Sequence, residues 1–190
     1  MTRVRLHTLD TAKASSRSVL QRVIDASPGV GILNLWAAMA EAPATLDAYM
    51  AMRESIEAYA TFDPALRSGI ALAAAAANGG SYSTTINRRI ATRAGWSPEE
   101  VEAVRLGAED DPRLRALLAL VREASGNRGA ATETTWSAAV EAGWTNAELV
   151  EAFAIIALTW FVDGFASFVQ IEADRPPENV VPEVPAAAPA

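Results

Sequence analysis

The stretch from Asp63 to Gly80, DPALRSGIALAAAAANGG, leaves the chain little choice of conformation. Asp63 can cap a helix by accepting a backbone N–H, and Pro64 suits the first turn, where no N–H partner is needed. Ile70, Ala71 and Leu72 lead into five successive alanines, Ala73 to Ala77, and Asn78-Gly79-Gly80 stops the run. Alanine is the best helix former. A face of such small side chains also lets neighbouring helices approach closely, so this helix is expected at the centre of the molecule. About one residue in five is alanine, aromatic residues make up 7%, and no long alternating run of β-branched residues occurs. The chain reads as all-α.

The other helices follow from apolar spacing and from their stop signals. Thr11 to Ala26 carries Val19, Leu20, Val23 and Ile24 on one face and stops at Ser27-Pro28-Gly29. Ile32 to Ala42 is a short apolar helix ending near Pro43, and Thr45 begins another that passes through Tyr49, Met50, Ile56 and Tyr59. Pro112 opens a helix with Leu114, Leu117, Leu118 and Val121 at helical spacing. After a loop over Ser125 to Thr132 come Thr134 to Ala142 and a long apolar helix from Asn146 to about Ala173. Two segments repeat one pattern: Ala94-Gly95-Trp96-Ser97, with Glu100 and Val101 following, and Ala142-Gly143-Trp144-Thr145, with Glu148 and Leu149 following. In each, glycine ends a helix, Ser or Thr caps the next, and Glu three residues on completes a capping box. Trp and Val or Leu stand at hydrophobic-staple spacing, which gives both tryptophans structural roles. The domain spans 11–174, between a flexible N-terminal arm over 1–10, with His7 on its surface, and a Pro/Ala-rich tail over 175–190 that is extended or disordered.

Composition removes whole classes of chemistry. With 190 residues, 51% of them hydrophobic, the chain makes one ordinary domain. Sixteen basic against 23 acidic residues leave a net charge of -7, which argues against nucleic acid as a partner. There is no cysteine, hence no disulfide, thiolate metal site or thiol redox chemistry. The lone histidine, His7, cannot build a metal cluster or a triad, and the lone lysine, Lys13, sits in a polar stretch unsuited to a Schiff base. No metal and no cofactor are expected. Met1 to Ser18 lacks the apolar core of a secretory signal. Ala152 to Ile171 has the length of a membrane span, but Asp163 sits in its middle, so it is read as a helix buried on most sides of a cytoplasmic protein.

The run Asp63-Pro64…Leu66-Arg67, the alanine helix, Asn78-Gly79-Gly80-Ser81-Tyr82-Ser83…Asn87 and Ala94-Gly95-Trp96-Ser97 together resemble the carboxymuconolactone decarboxylase / alkylhydroperoxidase D-like family. Trp36 to Pro43 resembles its opening helix. Ala147-Glu148-Leu149 and Thr159-Trp160-Phe161-Val162-Asp163 resemble its closing one. The resemblance covers roughly Ser18 to Asp174. It implies a bundle of about seven or eight helices and a homo-oligomer: dimer, trimer or hexamer.

Redox members of that family carry Cys-x-x-Cys-x-x-x-His. In this register the first cysteine position is Gly80, the second Ser83, the histidine position Asn87, and the upstream glutamate falls near Ser68. Serine offers no sulfenate chemistry, glycine no side chain, and asparagine no titration near neutral pH, so thiol-dependent peroxidase activity is not expected. Ser68, Gly80, Tyr82, Ser83 and Asn87 are the expected pocket positions, and Tyr82, Ser83, Asn87 and Asp163 the catalytic candidates. Asp163 is expected to be hydrogen-bonded or paired, with an Arg that could belong to another subunit, to be solvated at a helix end beside Gly164, or to carry a raised pKa suited to acid–base work. Glu54, Glu57 and Glu172 are further carboxylates. Arg88, Arg89 and Arg93 read as a solvated face balanced by Glu99, Glu100 and Glu102. The expected function is binding of a small organic molecule, with non-redox decarboxylation, lactone or proton-transfer chemistry. The alternative is a catalytically silent oligomeric binding or scaffold protein.

Overall fold

The computed structural model describes residues 2–174. Among them are nine α-helices and no strand: α1 (Ala14–Asp25), α2 (Asn34–Met39), α3 (Pro43–Tyr59), α4 (Pro64–Ala77), α5 (Ser81–Arg93), α6 (Pro98–Leu106), α7 (Pro112–Gly126), α8 (Glu133–Glu141) and α9 (Asn146–Val169). The helix made of alanines is central. It packs against α5, α6, α7 and α9, and Ile70, Leu72, Ala73, Ala74 and Ala75 are wholly buried. Small side chains permit that many neighbours because each can come close without leaving a gap. One apolar cluster surrounds α4 with residues of α6, α7 and the first half of α9. A second joins α1, α2 and α3 to the second half of α9. α9 thus runs through both.

The local repeat seen in the sequence belongs to a larger unit. α4, α5 and the start of α6 form one copy; α7, α8 and the start of α9 form another. Asp63-Pro64 and Asp111-Pro112 open the two copies, each followed by Leu and Arg at the same places. Asp63 Oδ1 accepts from the Leu66 N–H at 2.8 Å and Asp111 Oδ1 from the Arg113 N–H at 2.9 Å. Gly95 and Gly143 turn the chain at φ 108° and 94°, where a side chain would be strained. Ser97 with Glu100, and Thr145 with Glu148, then form complete capping boxes. Both tryptophans are structural. Trp96 Nε1 donates to the Ala65 carbonyl and Trp144 Nε1 to the Arg113 carbonyl, each at 2.8 Å and each across 31 residues. In both copies the acceptor is the second residue of the unit's first helix, so the indole ties the end of the unit to its beginning.

Four expectations need correction. The segment before α1 is held to the bundle: the Arg3 N–H donates to the Val169 carbonyl at 2.8 Å and the His7 N–H to the Ala37 carbonyl at 3.0 Å. His7 is buried, not on the surface. Its Nε2 lies 2.8 Å from Glu41 Oε2 and its Nδ1 3.0 Å from the Thr11 carbonyl. Glu41 lies 34 residues away, so no local pattern announces that contact. α9 stops at Val169 because Gln170 takes the left-handed conformation, φ 54°, that closes its last turn. Nor is α9 buried on most sides. It is the one described helix long and apolar enough to cross a membrane, yet only a third of its apolar window is buried, and Phe168 is 75% exposed. The predicted 175–190 tail lies outside the described residues.

The two capping boxes are equivalent, so their loss should cost the same. Ser97→Ala and Thr145→Ala are each expected to lower unfolding stability by about 1 kcal/mol, read as a lower urea midpoint at unchanged slope.

Candidate functional site

Gly80 caps α5 with an ordinary backbone, φ -74°. It is needed for space rather than for conformation. A Cβ placed on Gly80 would stand 2.1 Å from Asp163 Oδ1 and 2.4 Å from its Cγ. The Asp163 carboxylate, carried in from α9, fills the volume that any side chain at position 80 would require.

Asp163 is 9% exposed and is held from α4's end: Asn78 Nδ2 donates to its Oδ2 at 2.9 Å. The Asn78 Oδ1 in turn accepts from Ser125 Oγ of α7 at 2.8 Å and from Trp160 Nε1 of α9 at 3.2 Å. One amide therefore links three helices. The other carboxylate oxygen, Oδ1, and the Ser83 Oγ are both buried with no partner beyond a weak interaction with each other. Burial pushes the Asp163 carboxyl above the usual carboxylate range; the Ser83 hydroxyl and the Asn78 amide temper that rise. Asp163 is thus hydrogen-bonded, one of the outcomes expected for it, and burial also raises its pKa. Its partner is an amide rather than a guanidinium, and Gly164 beside it is interior to α9.

The remaining predicted residues do not converge on this point. The Ser68 hydroxyl is buried and donates to the Ala65 carbonyl of its own helix at 2.6 Å. Tyr82 donates to Asp174 Oδ2 at 2.6 Å, and Asp174 Oδ1 also accepts the Asn34 N–H at 2.7 Å. Burial and that carboxylate raise the Tyr82 pKa far above its ordinary value, so the phenol stays a donor. Asn87 reaches the Ala71 carbonyl at 3.5 Å. Glu54 pairs with Arg22 and Glu57 with Arg53 at the surface. Arg88 lies 3.8 Å from Glu102, as a balanced face requires. Ser83 and Asp163 thus meet, whereas Ser68, Tyr82 and Asn87 are engaged elsewhere.

Two depressions among the described residues bear on the site. An open groove is lined by Ser81, Thr84, Thr85, Arg88, Glu102 and Arg105. An apolar chamber of about 270 Å³ lies between α7, α8 and α9. Neither is lined by Ser68, Gly80, Tyr82, Ser83, Asn87 or Asp163, so the expected common pocket is not among them. The physical reason is that Asp163 fills the space beside Gly80. Among the described residues no three potential metal-ligating side chains cluster. Sequence reasoning missed the bridging residues. Asn78 was legible only as a helix stop, and nothing marked Ser125 or Trp160 as its partners.

Comparison with known proteins agrees with this architecture. Residues 43–123 match the carboxymuconolactone decarboxylase family. The fold is that of the alkylhydroperoxidase AhpD core, seen in an uncharacterized peroxidase-related protein from Ralstonia eutropha JMP134. That protein has 20% identity and a TM-score of 0.78, over 91% of this chain and 92% of the other. The debrominase Bmp8, in a cysteine-to-alanine variant complexed with 2,3,4-tribromopyrrole, superposes with a TM-score of 0.77 at 19% identity, over 92% of each chain. A peroxidase-related protein from Silicibacter sp. TM1040 has a TM-score of 0.76 at 15% identity, over 91% of this chain and 92% of its own. No curated protein matches the sequence.

Two outcomes follow from the Gly80–Asp163 contact. Gly80→Ala should destabilise by about 1–3 kcal/mol through overpacking, and much less in an Asp163→Ala background, which a double-mutant cycle measures. An acid whose folded pKa is raised binds its proton more tightly in the folded state. Its contribution therefore falls as pH rises from the unfolded pKa through the folded one. Asp163→Asn removes that loss, so the melting temperature of the variant minus that of the parent should grow from pH 4 to pH 7.

Proposed function

We propose that this chain, in which residues 43–123 form a cysteine-free segment of the carboxymuconolactone decarboxylase family, binds a small organic molecule and acts on it by proton transfer, as a lyase or isomerase. The observation that supports this reading is the burial of Asp163 Oδ1 beside the Ser83 hydroxyl. Apart from their weak interaction with each other, neither atom has a hydrogen-bond partner. Such atoms are costly unless something uses them. A substrate oxygen brought between them would take a hydrogen bond from Ser83 and a proton from Asp163, whose raised pKa suits a general acid. Thiol-dependent peroxide reduction is not open to the chain, because it needs one thiolate to attack and a second to resolve, and there is no cysteine.

A second reading, a catalytically silent binding or scaffold protein, has its own support: neither cavity is lined by Ser83 or Asp163. Under both readings the protein is cytoplasmic and self-associates. The exposed C-terminal part of α9, with Phe168, is the surface best suited to a second copy. The net charge of -7 disfavours nucleic acid, and the buried Asp163 disfavours a membrane.

The test is conversion of a panel of lactones and cyclic carboxylic acids by the full chain in thiol-free buffer, followed by NMR. Asp163→Asn is expected to lower turnover at least ~100-fold. Binding without conversion, unchanged in Asp163→Asn, would establish the silent reading. Hydroperoxide turnover by the thiol-free protein would overturn both.

A further inference from the structure

The two helical units can be compared groove by groove. Ala76, Ser81, Arg88, Glu102 and Arg105 line the open groove of the first unit. The residues at the same places of the second are Ala124, Gly129, Trp136, Val150 and Phe153, and all five line the apolar chamber. In the first unit Glu102 accepts from Arg105 Nε at 2.9 Å and lies 3.8 Å from Arg88. The framework therefore closes this position adequately with ion pairs. In the second unit residues 129–132, which match the first turn of α5, form a loop before α8, and all three charged places are apolar. That change leaves Val150 66% and Phe153 47% exposed, which the fold itself does not require.

We infer that the chamber between α7, α8 and α9 is a binding site for a small uncharged ring compound, distinct from the Ser83–Asp163 centre. Volume supports this. A closed apolar cavity of about 150 Å³ takes up benzene; this one, at about 270 Å³ and partly open to solvent along Val150 and Phe153, has room for a substituted ring. Chemistry supports it too. No charged side chain lines the chamber, so a charged ligand would lose its hydration without replacement. Aromatic walls are in place: Trp136 lines the chamber, and Phe153 is set edge-on to Trp160, 5.7 Å between centroids at 83°. Further substituents would meet Leu120, Ala124 and Ile156. The site shares no residue with the acid–base centre, so either can fail without the other.

The test titrates the full chain with toluene, and with benzoate as a charged ring of similar size, by tryptophan fluorescence and calorimetry. Toluene should bind saturably and benzoate at least tenfold more weakly. Val150→Asp puts a charge at the mouth, and Ala131→Phe fills space at the rim. Each should weaken toluene binding at least tenfold with helical content unchanged, and each should leave any Asp163-dependent turnover intact. No saturable toluene binding up to its aqueous solubility, equal binding of benzoate, or toluene binding indifferent to both variants would overturn the assignment. So would an oligomer that Val150→Asp dissociates in the absence of any toluene binding, which would make this face a contact between copies.

Discussion

The close approach of helices around α4 is the constraint on which the structure depends. Its buried face is Ile70, Leu72 and three alanines, and four other helices pack on it. At its C-terminal end the packing is so close that no side chain fits at Gly80, and a carboxylate from α9 occupies the space instead. Burying that carboxylate without a cation is expensive, and the Asn78 amide offsets part of the cost by donating to it. The same amide accepts from α7 and α9, so a single side chain satisfies donors on the helices that must stay close.

The internal repeat explains how one chain can hold two different kinds of cavity. Caps, left-handed glycines and indole-to-carbonyl hydrogen bonds are the same in both units, because each solves the same local problem of ending one helix and starting the next. The lining differs at exposed or half-buried places, Arg88, Glu102 and Arg105 in one unit and Trp136, Val150 and Phe153 in the other. One unit became charged and open. The other became apolar and more recessed.

Much of the fold was legible along the chain. Asp63-Pro64 and Pro112 marked helix starts, the Ser97 and Thr145 boxes marked others, and the alanine run identified the central helix. The end of α9 was not legible. Nothing in the composition near Gln170 favours the left-handed turn it adopts. Nor was the docking of His7, whose partner Glu41 lies 34 residues away. Of the candidate site, the positions 80, 83 and 163 were named from sequence, but not that the third stands where the side chain of the first would be. Ser68, Tyr82 and Asn87 share a motif with them and yet hydrogen-bond elsewhere.

The sequence by itself determined the helices, their caps and the absence of thiol chemistry, because these depend on residue type and on neighbours within one or two turns. Only the tertiary structure decided that Asp163 replaces a side chain at Gly80, that Asn78 rather than an arginine holds it, and that the two units form different cavities. Those outcomes rest on contacts such as the one between Asn78 and Asp163, 85 residues apart. They depend on how closely small side chains let helices meet, a distance that no local pattern encodes.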